Sequence, residues 1–280
     1  MTDATEPAAL EERRLDFHGA GLRYFVGGDG PPLVLVHGLG GAASNWVELV
    51  PLLSRRFRLL VPDLPGHGGS SPLPSAPTLN PFADAVAAVA EREGMLPAAV
   101  VGHSLGGLVA LRLALRRPGS VRALLLAAAA GISSASRVRE TFVTLLVLAR
   151  PARLVAPHRR LIARVSWLRV PVFGHWEVSD PAALSPHAVE GFLAGPALHT
   201  GIGDAGRALV LGDPRTELDR VDCPAIVLWG ARDHLVPLDD GIEYARRLKA
   251  PLRVIPDCGH LLIGERPDAC ADAITTFLVR

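Results

Sequence analysis

Lysine is almost absent from this chain of 280 residues, because Lys249 is the only one and arginine carries nearly all of the positive charge. We interpret this imbalance first as a compositional bias, so clusters of arginine weigh less as functional signals. The formal net charge is only +1. A balance this close to neutral gives no reason to expect a nucleic acid as a partner.

Cysteine is also scarce. Cys223, Cys258 and Cys270 are an odd number of cysteines without the spacing of metal ligands, so we expect free thiols in a reducing cytoplasm and no metal site. No apolar run reaches the ~20 residues that span a bilayer, because Arg, Gly, His or Pro interrupts each candidate. The first residues are polar and acidic, unlike a signal peptide. We therefore expect a cytoplasmic protein with no stable membrane insertion.

Apolar residues, by contrast, are plentiful. Hydrophobic residues make up 49% of the chain and charged residues 20%, so we expect a sizeable core and no extensive disorder. The length suits one large α/β domain with an insertion, or two small domains.

The clearest functional pattern is Gly102-His103-Ser104-Leu105-Gly106, which follows an apolar run and precedes a run rich in Leu and Ala. This is the order strand, tight turn, helix with a serine at the apex, as in the G-x-S-x-G nucleophile elbow. The two glycines allow the strand and the helix to approach each other closely. The start of the helix behind Ser104 favours developing negative charge. A glycine-rich turn without chemistry remains the alternative for this motif alone.

Apolar runs alternate with helical patterns along most of the chain, which predicts a parallel sheet covered by helices on both faces. From residue 132 to residue 218 the periodicity is helical and is broken repeatedly by proline. We therefore predict an α/β core in residues 1–131 and 219–280, with a helical cap inserted as residues 132–218. The predicted segments are a hairpin over 14–26, strands over 32–37, 57–62, 98–101, 121–128, 225–229 and 252–255, and helices over 45–53, 81–92, 238–248 and 267–279.

A serine needs a base and that base needs an acid, and both should follow strands whose carboxyl ends meet at one edge of the sheet. His260 follows the strand predicted at 252–255, and Asp233 follows the strand at 225–229. Their loops should be neighbours, so Ser104, Asp233 and His260 form the predicted triad, in the order serine, acid, histidine. Asp63 competes for the role of the acid, but its Pro- and Gly-rich loop indicates a side chain that stabilises a turn.

The oxyanion hole requires two backbone N–H groups aimed at one point. Leu105, directly after the serine, should supply one of them, and Leu39 the other. The glycines on either side of Leu39, Gly38 and Gly40, allow the backbone to run close to a substrate carbonyl. We also predict that Gly38, Gly40, His103 and Leu235 contact the substrate.

Several motifs together resemble the α/β-hydrolase fold family, in its serine-nucleophile branch of esterases and lipases. They are His37-Gly-Leu-Gly-Gly, Asp63-Leu-Pro-Gly-His-Gly-Gly-Ser70, the elbow around Ser104, Gly230-Ala-Arg-Asp233 and Gly259-His260. The resemblance implies a mostly parallel eight-stranded sheet with the cap inserted after strand six. Epoxide hydrolases and haloalkane dehalogenases of this family carry Asp at the elbow and typically a proline two residues after the first His-Gly. Ser104 and Gly40 depart from both features, so we set those activities aside.

The chemistry implied is acyl transfer from a carboxylic ester, lactone or thioester of a fairly apolar small molecule, with no cofactor. A carbon–carbon bond hydrolase with the same triad is one alternative, which Leu261 disfavours because those enzymes often have Trp after the histidine. A non-catalytic ligand-binding protein on the same fold is the other.

Apolar residues of the cap, over 141–148 and 161–170, predict either a hydrophobic lid over Ser104 or simple packing of the cap on the sheet. Residues 137–169 contain eight arginines and only Glu140 as an acid. We interpret these arginines first as a solvated face, with docking on an anionic membrane surface as the alternative.

Overall fold

The computed structural model describes residues 10–74, 78–133, 151–198 and 201–279. Their centre is an eight-stranded sheet with the strand order β1-β2-β4-β3-β5-β6-β7-β8. The first two strands pair antiparallel, β2 also runs antiparallel to β4, and all other pairs are parallel. The strands are β1 (Glu11–Phe17), β2 (Ala20–Gly27), β3 (Pro32–Val36), β4 (Arg58–Pro62), β5 (Ala98–His103), β6 (Val121–Ala127), β7 (Ala225–Gly230) and β8 (Leu252–Ile255).

The central strands are buried along nearly their whole length. Every residue of β5 and β7 is buried, and so is every residue of β3 after Pro32. Continuous apolar sequences form such strands because helices cover a parallel sheet on both faces. The hairpin of β1 and β2 instead alternates between buried and more exposed residues along β2, as expected for an antiparallel edge with one face in water.

The helices of the core lie in two groups. Leu79–Arg92 packs against Leu105–Arg116, whereas Val50–Leu53 packs against Pro267–Leu278. Further helices are Leu238–Leu248 and Leu262–Glu265. The helix predicted over 45–53 is instead two short pieces, a 3-10 turn at Ala43–Trp46 and the helix Val50–Leu53. Pro51 explains the break, because proline favours the first turn of a new helix and cannot continue an earlier one.

Between β6 and β7 the described residues form helices and no strand. The helices are Pro151–Val155, Arg159–Arg164, Ser166–Glu177, Pro186–Ala194 and Ile202–Leu211. The apolar stretch 141–148, which carried part of the lid hypothesis, lies outside the described residues, as do Arg137 and Glu140.

A buried arginine holds this cap together. The guanidinium of Arg169 donates hydrogen bonds to the backbone carbonyls of Ile162, Ala163, Ala182 and Leu184. It thereby joins three segments of the cap, and each of its three nitrogens has at least one acceptor.

Among the described residues, no helix is both long and apolar enough to cross a membrane.

Candidate active site

Ser104 sits at the apex of a sharp turn between β5 and the helix Leu105–Arg116. Its backbone has φ 53° and ψ −119°, outside the common regions for a residue with a side chain. A Cβ on Gly102 would lie 2.2 Å from the carbonyl oxygen of Gly106, and a Cβ on Gly106 would lie 2.2 Å from that of Val36. The two glycines are therefore required by the close approach of strand, turn and helix.

The strained backbone of Ser104 is fixed on both sides by hydrogen bonds. Its N–H donates to the carbonyl of Ala127 at 3.0 Å, and its own carbonyl accepts from the N–H groups of Gly107 at 3.0 Å and Ala130 at 3.2 Å. Strain of this kind persists only where the surrounding structure holds it, and it is frequent at functional sites.

Asp233 and His260 meet at the same edge of the sheet, as their positions after neighbouring strands predict. Nδ1 of His260 lies 2.8 Å from Oδ2 of Asp233, and both residues are buried. The other oxygen, Oδ1, accepts from the N–H groups of Leu235 at 3.0 Å and Val236 at 2.8 Å. With its oxygens accepting from these N–H groups and facing the imidazole, Asp233 is the acceptor of the pair, so Nδ1 of His260 donates and Nε2 is left to accept a proton.

The electrostatics around His260 favour its charged form. Burial of the ring opposes a positive charge, but the nearby carboxylates outweigh it and raise the pKa of His260, with Asp233 contributing most. An imidazolium formed by proton transfer from a serine is thus stabilised at this position.

His103, next to Ser104 in the chain, joins the elbow to the histidine loop. Its Nε2 lies 2.9 Å from the backbone carbonyl of His260, and the two ring centroids are 5.0 Å apart. Burial, together with the nearby His260 and His37, lowers the pKa of His103 to about 3, so this ring is neutral. Its bond to the carbonyl assigns the proton to Nε2, and His103 therefore positions the loop of His260.

The loop after β3 lies directly against the serine. A Cβ on Gly38 would be only 3.0 Å from Cβ of Ser104, so the backbone before Leu39 passes beside the nucleophile. Gly40 adopts φ 72°, which forms the tight turn that follows. Leu105 is the first residue of the helix behind Ser104, and its N–H is among those that lack a partner within the helix.

Asp63, the competing acid, has a different role. Its buried carboxylate accepts from the N–H groups of Ala43 and Gly69, both at 2.7 Å, and from Nε of Arg23 at 2.6 Å. Its side chain therefore stabilises its own loop through Gly69, and it also ties that loop to Ala43 after β3 and to Arg23 of β2. Nearby, Nε2 of His37 accepts from the N–H of Leu64 at 2.9 Å and so ties the two loops together.

The comparisons with known proteins agree with this architecture. A family model described as alpha/beta hydrolase fold matches residues 31–267, which is most of the chain. The chain belongs to the α/β-hydrolase fold family.

Relatives of this α/β hydrolase carry several functions. It is 34% identical over 262 residues to a pimeloyl-[acyl-carrier protein] methyl ester esterase of Aromatoleum aromaticum, covering 86% of this chain and 95% of that protein. It is 30% identical over 276 residues to the dihydrolipoyllysine-residue acetyltransferase component of the acetoin cleaving system of Pseudomonas putida, covering 95% of this chain and 69% of the relative. The crystal structure of a hydrolase from Pseudomonas aeruginosa superposes with a TM-score of 0.78 at 28% identity, covering all of both chains.

The α/β hydrolase has a carboxylic acid at this site that the sequence did not indicate. The backbone carbonyl of Glu177, at the end of the cap helix Ser166–Glu177, accepts from the N–H of His260 at 2.7 Å. Its own side chain is half-buried and lies in the field of His260, Asp233 and Glu265. Loss of water raises the pKa of Glu177 to about 7; the nearby acids add to this rise, and His260 opposes it. No sequence signal could have identified it, because the contact depends on how the cap docks.

A second acid, Glu265, fastens the histidine loop to the cap. Its carboxylate accepts from the N–H of Gly259 at 3.0 Å and from the N–H of Ser179 at 2.8 Å. Burial raises the pKa of Glu265, although these two donors favour the anion. An acid five positions after a candidate catalytic histidine is the only signal in the sequence that pointed to it.

Proposed function

We propose that this α/β hydrolase is a serine esterase that cleaves a carboxylic ester of a fairly apolar small molecule through an acyl-enzyme on Ser104. The observation that carries the proposal is the buried pair of His260 and Asp233, 2.8 Å apart in the loops after β8 and β7, together with the strained elbow of Ser104 after β5. The name of the relative from Aromatoleum aromaticum, which specifies a methyl ester, supports an ester as the bond that is cleaved.

In the first half of the reaction Oγ of Ser104 attacks the ester carbonyl while Nε2 of His260 takes its proton. Asp233 holds the ring with Nδ1 protonated and stabilises the imidazolium without itself becoming protonated. The N–H groups of Leu39 and Leu105 stabilise the negative charge on the carbonyl oxygen. His260 then gives its proton to the leaving alcohol.

In the second half water attacks the acyl-enzyme, with His260 again as the base, and the acid product leaves Ser104 free. Each turnover consumes one water and releases one acid and one alcohol, so the residues of the chain suffice. Gly38 has no side chain to crowd the serine, since a Cβ there would lie 3.0 Å from that of Ser104, and this suits the approach of a substrate carbonyl.

A fluorophosphonate probe tests whether Ser104 is a nucleophile. We expect one covalent adduct on the folded wild-type protein by intact mass, mapped to Ser104, and none on Ser104→Ala. Ser120→Ala is the matched control, because Ser120 directly precedes β6 and so lies at the amino ends of the parallel strands, away from the site. This variant should be labelled like the wild type. A folded wild-type protein that forms no adduct would instead indicate a non-catalytic binding protein.

A panel of p-nitrophenyl esters, lactones and thioesters tests the bond and the lid. We expect ester hydrolysis whose kcat/KM rises from acetate to decanoate, and a fall in kcat of at least about 10⁴-fold in Ser104→Ala. A flat series contradicts the hydrophobic lid. Labelling of Ser104 without turnover of any ester, lactone or thioester contradicts the esterase and favours carbon–carbon bond cleavage.

A further inference from the structure

One face of the cap presents arginine and leucine side chains to water. Pro151–Val155, Ala156–His158 and Arg159–Arg164 follow one another as a nearly continuous helical run. Its exposed side chains recur at helical spacing and so form one stripe. We call this stripe the Arg–Leu face, and its members are Arg153, Leu154, Pro157, His158, Arg160, Leu161 and Arg164.

The apolar members are exposed to an unusual degree. Leu154 is 76% exposed and Leu161 is 55% exposed. Trp167, only three residues beyond Arg164, is 69% exposed. Single exposed apolar residues are ordinary on protein surfaces, but two exposed leucines on one helical stripe, followed at the start of the next helix by an exposed tryptophan, indicate a contact surface.

The charges on this face are all of one sign. The sequence from Arg153 to Trp176 contains no Asp or Glu. In the part of the chain that the structure describes, neither Arg160 nor Arg164 forms an ion pair with a carboxylate. The helix Leu238–Leu248 of the core differs, because there Glu243 pairs with both Arg246 and Arg247.

Most other arginines of the core also pair with a carboxylate, as Arg116 does with Asp84. Compositional bias toward arginine therefore does not by itself produce a surface without acids. Within the described residues, the Arg–Leu face combines arginines that form no ion pair with exposed apolar side chains on one helical run.

We propose that the Arg–Leu face docks on an anionic lipid membrane. Its arginines would lie at the phosphate groups, while Leu154, Leu161 and Trp167 enter the boundary between headgroups and acyl chains. Arginine and tryptophan both suit that boundary, since each combines a polar group with an apolar body. Such binding is peripheral and reversible, and it needs no spanning helix. An acidic protein surface would satisfy the arginines but not the exposed leucines.

Vesicle sedimentation with the whole protein tests the proposal directly. We expect the wild type to sediment with vesicles of phosphatidylcholine and phosphatidylglycerol, but to stay in solution with phosphatidylcholine alone. Raising the salt should weaken the binding, because the arginines contribute through a screened electrostatic attraction. Equal binding to both kinds of vesicle, or to neither, overturns the proposal.

A pair of matched double variants locates the surface. Leu161→Ser/Arg164→Gln removes one leucine and one arginine from the Arg–Leu face, whereas Ile242→Ser/Arg246→Gln removes the same kinds of exposed side chain from the core helix. One arginine near an anionic surface changes partitioning roughly fivefold. The cap variant should therefore bind anionic vesicles at least about tenfold more weakly, and the core variant should bind like the wild type. A similar loss in both variants, or no loss in the cap variant, contradicts the proposal.

Two further measurements separate other occupants of this face. In analytical ultracentrifugation without lipid, we expect the wild type and the cap variant to sediment alike. If the wild type self-associates and the cap variant does not, the face contacts a second copy of the chain and the membrane proposal is overturned. In a titration with a purified acidic carrier protein, we expect no binding that depends on Arg164. Arg164-dependent binding to that protein, without binding to vesicles, would assign the face to a protein partner and overturn the membrane proposal. Ester hydrolysis plays no part in these readouts, so failure here leaves the proposed esterase standing.

Discussion

The backbone N–H of His260 donates to the backbone carbonyl of Glu177 at 2.7 Å, so the candidate catalytic histidine is hydrogen-bonded to the end of a cap helix. Gly259 makes this contact possible, because a Cβ there would lie 2.7 Å from that same carbonyl oxygen. The position of the histidine loop is therefore coupled to the docking of the cap, and a shift of the cap helix would also move the imidazole.

The two buried aspartates of the sheet edge should respond differently to the same substitution. Asp233→Asn should lower kcat by about 10⁴-fold with little change in KM, because an amide does not enforce the productive tautomer of His260. Asp63→Asn should lower the free energy of unfolding by about 2 kcal/mol, because its carboxylate holds Ala43, Gly69 and Arg23 through charged hydrogen bonds. Ester hydrolysis and urea denaturation measure the two effects.

Each aspartate variant is the control for the other. The folded fraction of Asp63→Asn should keep most of the wild-type kcat. If Asp63→Asn is the inactive protein and Asp233→Asn is active, the assignment of the acid is wrong.

Glu177→Gln should move the acid limb of the kcat/KM profile to lower pH. Glu177, whose pKa is about 7, is charged in the upper part of this limb, and there its negative charge is among those that raise the pKa of His260. Without it the imidazolium loses its proton at lower pH, and the neutral base required for the attack by Ser104 is present there. The backbone carbonyl of residue 177 remains, so the hydrogen bond from His260 is kept.

Glu91→Gln controls for the loss of a carboxylate as such. Glu91 pairs with Arg117, which lies shortly before β6. Glu91 is therefore near the amino ends of the parallel strands, whereas the site is at their carboxyl ends. Its pH profile should match that of the wild type. An unchanged profile in Glu177→Gln would mean that this charge does not influence the base.

A methyl group on Gly106 should disrupt the elbow. Gly106→Ala places a Cβ 2.2 Å from the carbonyl oxygen of Val36, where only backbone movement relieves the clash. We expect a loss of about 3 kcal/mol of unfolding free energy and loss of fluorophosphonate labelling of Ser104. Gly203→Ala, at the same position in another helix with nothing within 4 Å of its Cβ, should leave both properties unchanged. Wild-type stability and labelling in Gly106→Ala would contradict the close approach at this turn.

Removal of the buried guanidinium of Arg169 should loosen the cap. Arg169→Met leaves four backbone carbonyls of the cap without this donor, at a cost of about 2 kcal/mol or more. The melting temperature should fall, and limited proteolysis should cut the cap before the core. Arg164→Met, at an exposed position of the same cap, should behave like the wild type in both assays. If the two variants cannot be distinguished, the buried network does not stabilise the cap.

Local patterns were enough to predict most of the sheet. Leu238–Leu248 and Leu252–Ile255 have the predicted bounds, because their periodicity and their flanking prolines act within a few residues. The prediction failed over residues 45–53, where the apolar pattern favoured one helix and Pro51 divides it. In this segment a single backbone constraint outweighed the pattern.

The sequence by itself determined the alternation of strands and helices, the glycine-flanked turn at Ser104, and the loops from which Asp233 and His260 project. These follow from local propensity and from the rule that parallel strands end at one edge. Only the tertiary structure decided that Glu177 and Glu265 face the histidine loop. It also decided that Leu154 and Leu161 remain in water on a face whose arginines form no ion pair with any described carboxylate. Those features depend on how the cap docks on the sheet. The burial of a side chain and the electric field around it are set by residues that are far apart in the chain, so local sequence does not reveal them.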